Sequence, residues 1–199
     1  MFVTFEGLDG SGKTTQAELL AAFLAEQGRE VVATREPGGT PLGERIRALL
    51  LEGPEMTPWA EAALFAAARA ELVARVIRPA LERGADVVSD RYVDSSLAYQ
   101  GIARGLGVEP VLELNLAVVG ELLPDRTFVL ALDPDAARAR LGDAPDRIER
   151  EGVAFRYAVA EAYRQLAVLF PERVRELDGS LSVEELAEQV RAEVAAGVR

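Results

Sequence analysis

Gly7-Leu8-Asp9-Gly10-Ser11-Gly12-Lys13-Thr14 lies between the apolar run Phe2-Val3-Thr4-Phe5 and an amphipathic stretch that begins at Thr14. The segment fits G-x-x-x-x-G-K-[ST] in the context that gives the pattern meaning: a strand before it and a helix after it. Glycines let the backbone turn so that several N–H groups converge on one anion. The following helix adds the partial positive charge of its N-terminus. In such a loop Lys13 reaches the β- and γ-phosphates of a nucleotide, and the Thr14 hydroxyl binds Mg²⁺. Of the 22 basic residues only Lys13 is a lysine, and the rest are arginine. That position requires an ammonium on a flexible stem and not a planar guanidinium.

Working outward from the loop, short apolar runs alternate with longer amphipathic ones. Strands are expected at 2–5, 30–34, 85–89, 127–132 and 173–177. Helices are expected at 14–26, 42–51, 57–83, 95–103, 109–122, 135–141, 147–169 and 182–195, with Pro79 breaking the long one near its end. Val87-Val88 and Phe128-Val129-Leu130 are apolar without alternation, as in strands covered on both faces. The pattern predicts an α/β fold with a mostly parallel sheet. No repeat or linker divides the 199 residues, which are long enough to bury one sizeable core.

Composition narrows the function. The net charge of −11 opposes a nucleic-acid polymer, whose binding needs a basic stripe. A small anion is compatible, because a few local arginines dominate within a Debye length. With neither Cys nor His, the chain has no thiol nucleophile, no zinc-thiolate site and no imidazole base. The N-terminus lacks the marks of a signal peptide and no apolar run reaches spanning length, so a cytoplasmic protein without membrane contact is expected.

Val87-Val88-Ser89-Asp90 is an apolar strand that ends in an acid. In phosphate-loop proteins that place holds the Asp that orients Mg²⁺, often through water. The alternative is an acid that only opens the next loop. Phosphoryl transfer to a phosphate acceptor needs no deprotonation, because the attacking oxygen is already anionic. It needs Lys, Arg and Mg²⁺ to align two anions and neutralise developing charge. Transfer to a hydroxyl would favour a carboxylate base, for which Asp9 or Glu6 could serve. The residues therefore point to a kinase that passes the γ-phosphoryl group of ATP to a small nucleotide.

Several further motifs stand in a consistent order and spacing. They are Phe5 to Thr15, Arg35-Glu36-Pro37-Gly38-Gly39-Thr40, Leu64-Phe65-Ala66-Ala67-Ala68-Arg69, Asp90-Arg91-Tyr92, Ala98-Tyr99-Gln100-Gly101 and Asp146-Arg147-Ile148-Glu149. With these the chain resembles the bacterial thymidylate kinases, P-loop nucleoside monophosphate kinases, from end to end. The resemblance implies a nucleotide-kinase fold, with a five-stranded parallel sheet flanked by helices on both faces. It implies one kinase domain over 1–199, a homodimer, and transfer from ATP with Mg²⁺ to dTMP, giving dTDP.

The resemblance also implies residue roles. Gly7, Leu8, Asp9, Gly10, Ser11, Gly12, Lys13, Thr14 and Thr15 would bind ATP, with Thr14 and Asp90 at the metal. Phe65 would stack on thymine, while Arg69 and Gln100 would hydrogen-bond it and Ser96 would lie near it. Tyr99 would crowd a ribose 2′-OH, and Pro37 would pack beside the sugar. Asp9 would take the sugar 3′-OH and orient Arg91. Arg35, Arg47 and Arg91 would hold the acceptor phosphate. On pattern alone Phe65 and Tyr99 also fit ordinary packing positions, and Arg69 a surface pair.

The loop carries no arginine of its own, and the resemblance then implies that transition-state charge comes from a short lid around 138–150. Its Leu141-Gly142-Asp143-Ala144-Pro145 segment has no cation, which leaves Arg138, Arg140, Arg147 and Arg150. Arg147, assisted by Arg140 or Arg150, is expected to close over the transferring group. The rival is surface pairing of these arginines with Asp143, Asp146 and Glu149. Competing functions are a kinase for another nucleoside monophosphate or a deoxynucleoside, a GTP switch, and a nucleic-acid ATPase. The switch would carry an Asn-Lys-x-Asp segment, yet the only Asn is Asn115, followed by Leu116.

Overall fold

A computed structural model describes residues 1–142 and 146–197. Five parallel strands form one sheet in the order β2-β3-β1-β4-β5. They are β1 Phe2–Glu6, β2 Val31–Arg35, β3 Asp86–Asp90, β4 Arg126–Ala131 and β5 Val174–Asp178. β1 is central and buried along its whole length. Phe5 stands opposite both Asp90 on β3 and Phe128 on β4, so the ends of these strands reach a common edge. The loop that leaves β1 therefore emerges beside the acid that ends β3.

The pleat of β1 divides the core in two. Val3 and Phe5 face one side and pack with Val88, Phe128 and Leu130 under α1 (Lys13–Glu26) and α9 (Val183–Gly197). Phe2 faces the other side, with Val87 and Val129. That side is covered by α3 (Pro58–Leu72), α6 (Val108–Val119) and α8 (Val153–Leu169). The period of two in strand side chains turns an unbroken apolar run into two cores. α2 (Pro41–Glu52) is capped by Thr40, whose hydroxyl accepts the Gly43 N–H, and packs on α3 through Ile46, Leu50 and Ala68.

Two expected helices are more irregular than their periodicity suggested. The 57–83 stretch is α3, a π-helical turn Val73–Ile77, then α4 (Arg78–Glu82). Pro79 offers no N–H to Arg75, and the backbone widens there instead of breaking. The 95–103 stretch is a short α5 (Val93–Ser96) followed by a second π-helical segment, Leu97–Ala103. A short α7 (Pro134–Ala139) follows β4. The expected continuous helix over 147–169 is corrected to a 3₁₀ turn, Glu149–Glu151, and then α8. Gly152 between them sits at φ 91, a left-handed conformation that ends the first turn.

A polar network crosses the sheet under these helices. Asp94 is fully buried and accepts two hydrogen bonds from Arg173, at 2.6 and 2.8 Å, and one from Thr127 at 3.0 Å. Thr127 continues to Thr4 on β1 at 2.9 Å. Replacing Asp94 with Ala leaves the Arg173 guanidinium buried without its counter-ion. The expected loss is about 3–5 kcal/mol in denaturant unfolding. A loss below about 1 kcal/mol, the worth of an exposed pair, would show that the network does not tie the sheet together.

Candidate functional site

The glycine loop joins β1 to α1 and wraps over the helix N-terminus. Its turns use Gly7 at φ 136, Gly10 at φ 84 and Gly12 at φ 97. A Cβ on Gly10 would stand 2.3 Å from the Ala137 carbonyl oxygen, so α7 can approach the loop only because the side chain is absent. The loop forms one wall of a cavity of about 650 Å³. Gly12, Lys13, Thr14, Thr15 and Asp90 line it together with Asp9, Arg91, Arg35, Pro37, Arg47, Phe65, Tyr99 and Gln100. Residues from six segments of the sequence thus share one concave space of the size that holds small ligands.

Arg91 joins the loop to the rest of the wall. One of its terminal nitrogens donates to Asp9 at 2.7 Å and to the Tyr99 hydroxyl at 3.4 Å; the other donates to Ser95 at 3.0 Å and to the Tyr163 hydroxyl at 3.2 Å. Its backbone is left-handed at φ 75, which costs a residue with a Cβ about 1–3 kcal/mol. The turn is held by hydrogen bonds from its N–H to Phe5 and from Ser89 Oγ to its carbonyl. Burial opposes a charge on Asp9, but Arg91 and Lys13 outweigh it and hold the carboxyl well below the usual aspartate range. Lys13 donates to the Leu8 carbonyl at 2.8 Å and meets Asp9 at 3.4 Å. Burial and Arg91 push its ammonium down against the pull of Asp9, Asp90 and Glu6.

Thr14 donates its hydroxyl proton to Asp90 Oδ2 at 2.5 Å, leaving the Thr14 lone pairs free. Asp90 Oδ1 is buried with no hydrogen-bond partner among the described residues. An acceptor-only pair of oxygens with one unsatisfied atom suits a hard divalent cation. No group of three or more acidic, His or Cys side chains among the described residues could enclose such a cation. Further oxygens would have to come from a bound ligand or water.

Other expected site residues lie behind the wall. Arg69 is fully buried, and its guanidinium donates to Glu36, Ser96, Asn115 and the Tyr92 carbonyl. It reaches the cavity only by exchanging one of these partners. Ser96 is likewise buried, on Arg69. Arg147, expected to close over the transferring group, also lies behind the wall. It is 6% exposed and pairs with the Leu50 carbonyl at 2.7 Å and Glu61 at 2.6 Å, so it braces α2 and α3 and does not face the cavity. Of the lid arginines, Arg140 lines the cavity, 3.4 Å from the Gly10 carbonyl, and Arg138 bonds the Gly142 carbonyl. The lid residues 143–145, including Asp143, lie outside the described residues.

Sequence reading passed over several residues here. Glu36 lines the cavity between Arg69 and Pro37 with one buried oxygen unpartnered. Its only signal was its place in the Arg35 to Thr40 motif. Tyr163 reads as a core position of α8, yet its hydroxyl serves the Arg91 network. Glu6 was weighed only as a base, but it is fully buried. It accepts from the Tyr92 and Ser95 N–H groups at 2.8 and 3.1 Å, and from the Ser95 and Tyr163 hydroxyls at 2.6 and 2.8 Å.

Comparison with known proteins places these features in a family. The family model described as thymidylate kinase matches residues 5–190. The chain is 52% identical over 194 residues to a thymidylate kinase of Symbiobacterium thermophilum, covering 96% of this chain and 91% of that one. It is 51% identical over 199 residues to one of Gloeobacter violaceus, covering 98% and 94%. The crystal structure of thymidylate kinase from Ehrlichia chaffeensis superposes with a TM-score of 0.81 at 34% identity, covering 98% of each chain.

Burial raises the Glu6 carboxyl to about 7, against the opposing pull of Arg91. A folded-state pKa above the unfolded one means that the native protein holds the proton more tightly. The resulting stability is complete below the ordinary glutamate value near 4.5 and is lost as pH rises through about 7. Gln at position 6 keeps an acceptor for the two backbone N–H groups and mimics the protonated form. The unfolding free energy of Glu6→Gln, measured in denaturant, should therefore gain on that of the native protein between pH 5 and pH 8, by on the order of 3 kcal/mol at most. Parallel pH profiles for the two proteins would refute this.

Proposed function

The chain belongs to the thymidylate kinase family, and from that membership and the contents of the cavity we propose how its residues divide the work. The enzyme transfers a phosphoryl group from ATP to dTMP, giving dTDP. One observation carries the division of roles: the glycine loop with Lys13 and the Arg91–Asp9 pair face one cavity with Phe65, Tyr99 and Gln100. A donor cradle and a site for a flat base thus meet across a cluster of cations.

In this reading the loop from Gly7 to Thr15 receives the ATP phosphates, with backbone N–H groups and Lys13 directed at their oxygens. Arg91, Arg47 and Arg35 hold the dTMP phosphate. Arg35 and Arg47 are both anchored on the Pro37 carbonyl, at 3.4 and 3.0 Å, so their cationic ends converge beside the sugar position. Asp9 accepts the sugar hydroxyl with Oδ2, the oxygen that Arg91 does not occupy. Phe65 stacks on the base, Gln100 bonds its edge, and Arg69 and Ser96 support that edge from behind. Tyr99, fixed edge-on against Phe155 and Tyr163, stands where a 2′-OH would clash.

An oxygen of the dTMP phosphate attacks the γ-phosphorus as the bond to the β-phosphate oxygen breaks. The attacking oxygen carries charge already, so no residue need remove a proton, which suits a chain without His. Thr14 and Asp90 would hold Mg²⁺, which supplies neutralisation of charge on the donor phosphates when bound. Arg140 supplies transition-state charge from a lid around 138–150, in place of Arg147. The whole chain acts as one kinase domain, working in the cytoplasm as a homodimer. Among the described residues no helix is long and apolar enough to cross a membrane.

The test is ADP release from Mg-ATP with each nucleoside monophosphate in turn. Turnover selective for dTMP and dependent on Mg²⁺ is expected; acceptor-independent hydrolysis would overturn the reading. Arg140→Ala should lower kcat by about 10²-fold or more with little change in KM. Arg147→Ala should chiefly lower the unfolding midpoint, and a kcat loss as large as that of Arg140→Ala would restore it to the lid. Sedimentation at a mass near the 21.4 kDa of one chain would exclude the dimer.

A further inference from the structure

Gln100 is a residue with two faces, because its amide carries both a donor and an acceptor end. It is almost wholly buried and lines the cavity from the π-helical segment Leu97–Ala103. Its Nε2 donates to Glu61 Oε1 at 2.8 Å, while its Oε1 has no hydrogen-bond partner among the described residues. Glu61 sits in the first turn of α3, one turn before Phe65, and is buried. It does not line the cavity. It accepts from Arg104 Nε and Nη2 at 2.8 and 3.0 Å and from Arg147 Nη2 at 2.6 Å. Burial alone would raise its carboxyl, but the hydrogen bonds from Arg104, Gln100 and Arg147 overcome this and hold it below the usual glutamate value. Glu61 is therefore an anion with acceptors only.

An acceptor-only partner decides which way an amide points. If Gln100 turned over, its carbonyl oxygen would face the Glu61 carboxylate at hydrogen-bond distance, two acceptors with no proton between them. Leaving a buried polar group in that state forfeits its hydrogen bond with no water to replace it. Arg147, buried and fixed on the Leu50 carbonyl, holds Glu61 Oε2 and so bars the other escape, rotation of the carboxylate away from Gln100.

We propose that Glu61 is a positioning residue for base selection: it holds the Gln100 amide by its nitrogen and so commits the carbonyl oxygen to the ligand. The inference rests on the dTMP reading of the cavity. A carbonyl acceptor at that wall takes the ring N–H of an imide-type pyrimidine such as thymine or uracil. In a cytosine-type ring the same atom carries a lone pair, which would meet the lone pairs of Gln100 Oε1. Discrimination between the two bases is thus set one residue behind the cavity, by a carboxylate that never touches the ligand.

Glu61→Gln tests this, because Gln at position 61 offers an N–H to the Gln100 carbonyl and lets the amide turn over. The readout is the ratio of kcat/KM for dTMP to that for dCMP. It should fall by about tenfold, the worth of one misdirected hydrogen bond, with KM for dTMP rising more than kcat falls. Arg104→Ala, which loosens the same cluster without touching the amide, should keep the native ratio. An unchanged ratio in folded Glu61→Gln would overturn the proposal, as would an equal fall in Arg104→Ala. The native protein provides a measurement that needs no variant. With glutamine labelled in ¹⁵N, one Gln100 amide proton should exchange slowly with water, and fast exchange of both would refute a held amide. A native enzyme that ignores dTMP would instead refute the functional reading itself, which keeps the two failures apart.

Discussion

The guanidinium of Arg91 is the contact on which the site depends. It bonds the glycine loop through Asp9, α5 through Ser95, the π-helical segment through Tyr99 and α8 through Tyr163. These groups come from four places in the sequence, and the one cation gathers them. Arg91 occupies that centre because its backbone is left-handed, and the backbone is held there by β1 and β3. Beneath it Glu6 takes two N–H groups and two hydroxyls, so the turn is fixed from the sheet side as well. A charge held by several short bonds before ligand arrives is the preorganisation that phosphoryl transfer requires.

The chain is strongly acidic overall yet gathers its cations around one cavity. Arg35, Arg47, Arg91, Arg140 and Lys13 line it, and of its carboxylates Asp9 pairs with Lys13 and Arg91 while Asp146 and Glu149 take each other's backbone N–H groups. Other arginines are spent inside the protein. Arg69, Arg147 and Arg173 are buried, and each satisfies several acceptors with its fork of N–H groups. Lysine, a point charge with fewer fixed directions, could not replace them. It is kept for Lys13, whose flexible ammonium meets the Leu8 carbonyl and Asp9 at the cavity wall.

Much of the architecture is legible in the residues themselves. The apolar runs of β1, β3 and β4 mark strands buried on both faces, and helices fill the intervals because the strands are parallel. The loop is legible because only glycine tolerates its turns and the approach of Ala137 to Gly10. The π-helical segments were not legible, since a widened turn keeps nearly the same apolar periodicity as an α-helix. Nor was the break at Gly152, where the charged run 149–151 scans as helix until its backbone is seen.

The sequence by itself determined the class of fold, the phosphate loop, the acid after β3 and the family. Each is written in a contiguous run whose meaning is local: a strand pattern, a glycine turn, a motif. The tertiary structure alone decided which charges face the cavity. Arg140 and Arg147 stand seven residues apart and look equivalent in sequence, but Glu61 and the Leu50 carbonyl claim Arg147 for the scaffold. Arg69, Ser96, Gln100 and Glu36 received their orientations in the same way, from partners distant in the chain. The reason is physical: a buried charge or amide points wherever its hydrogen bonds are satisfied, and those partners exist only once the chain has folded.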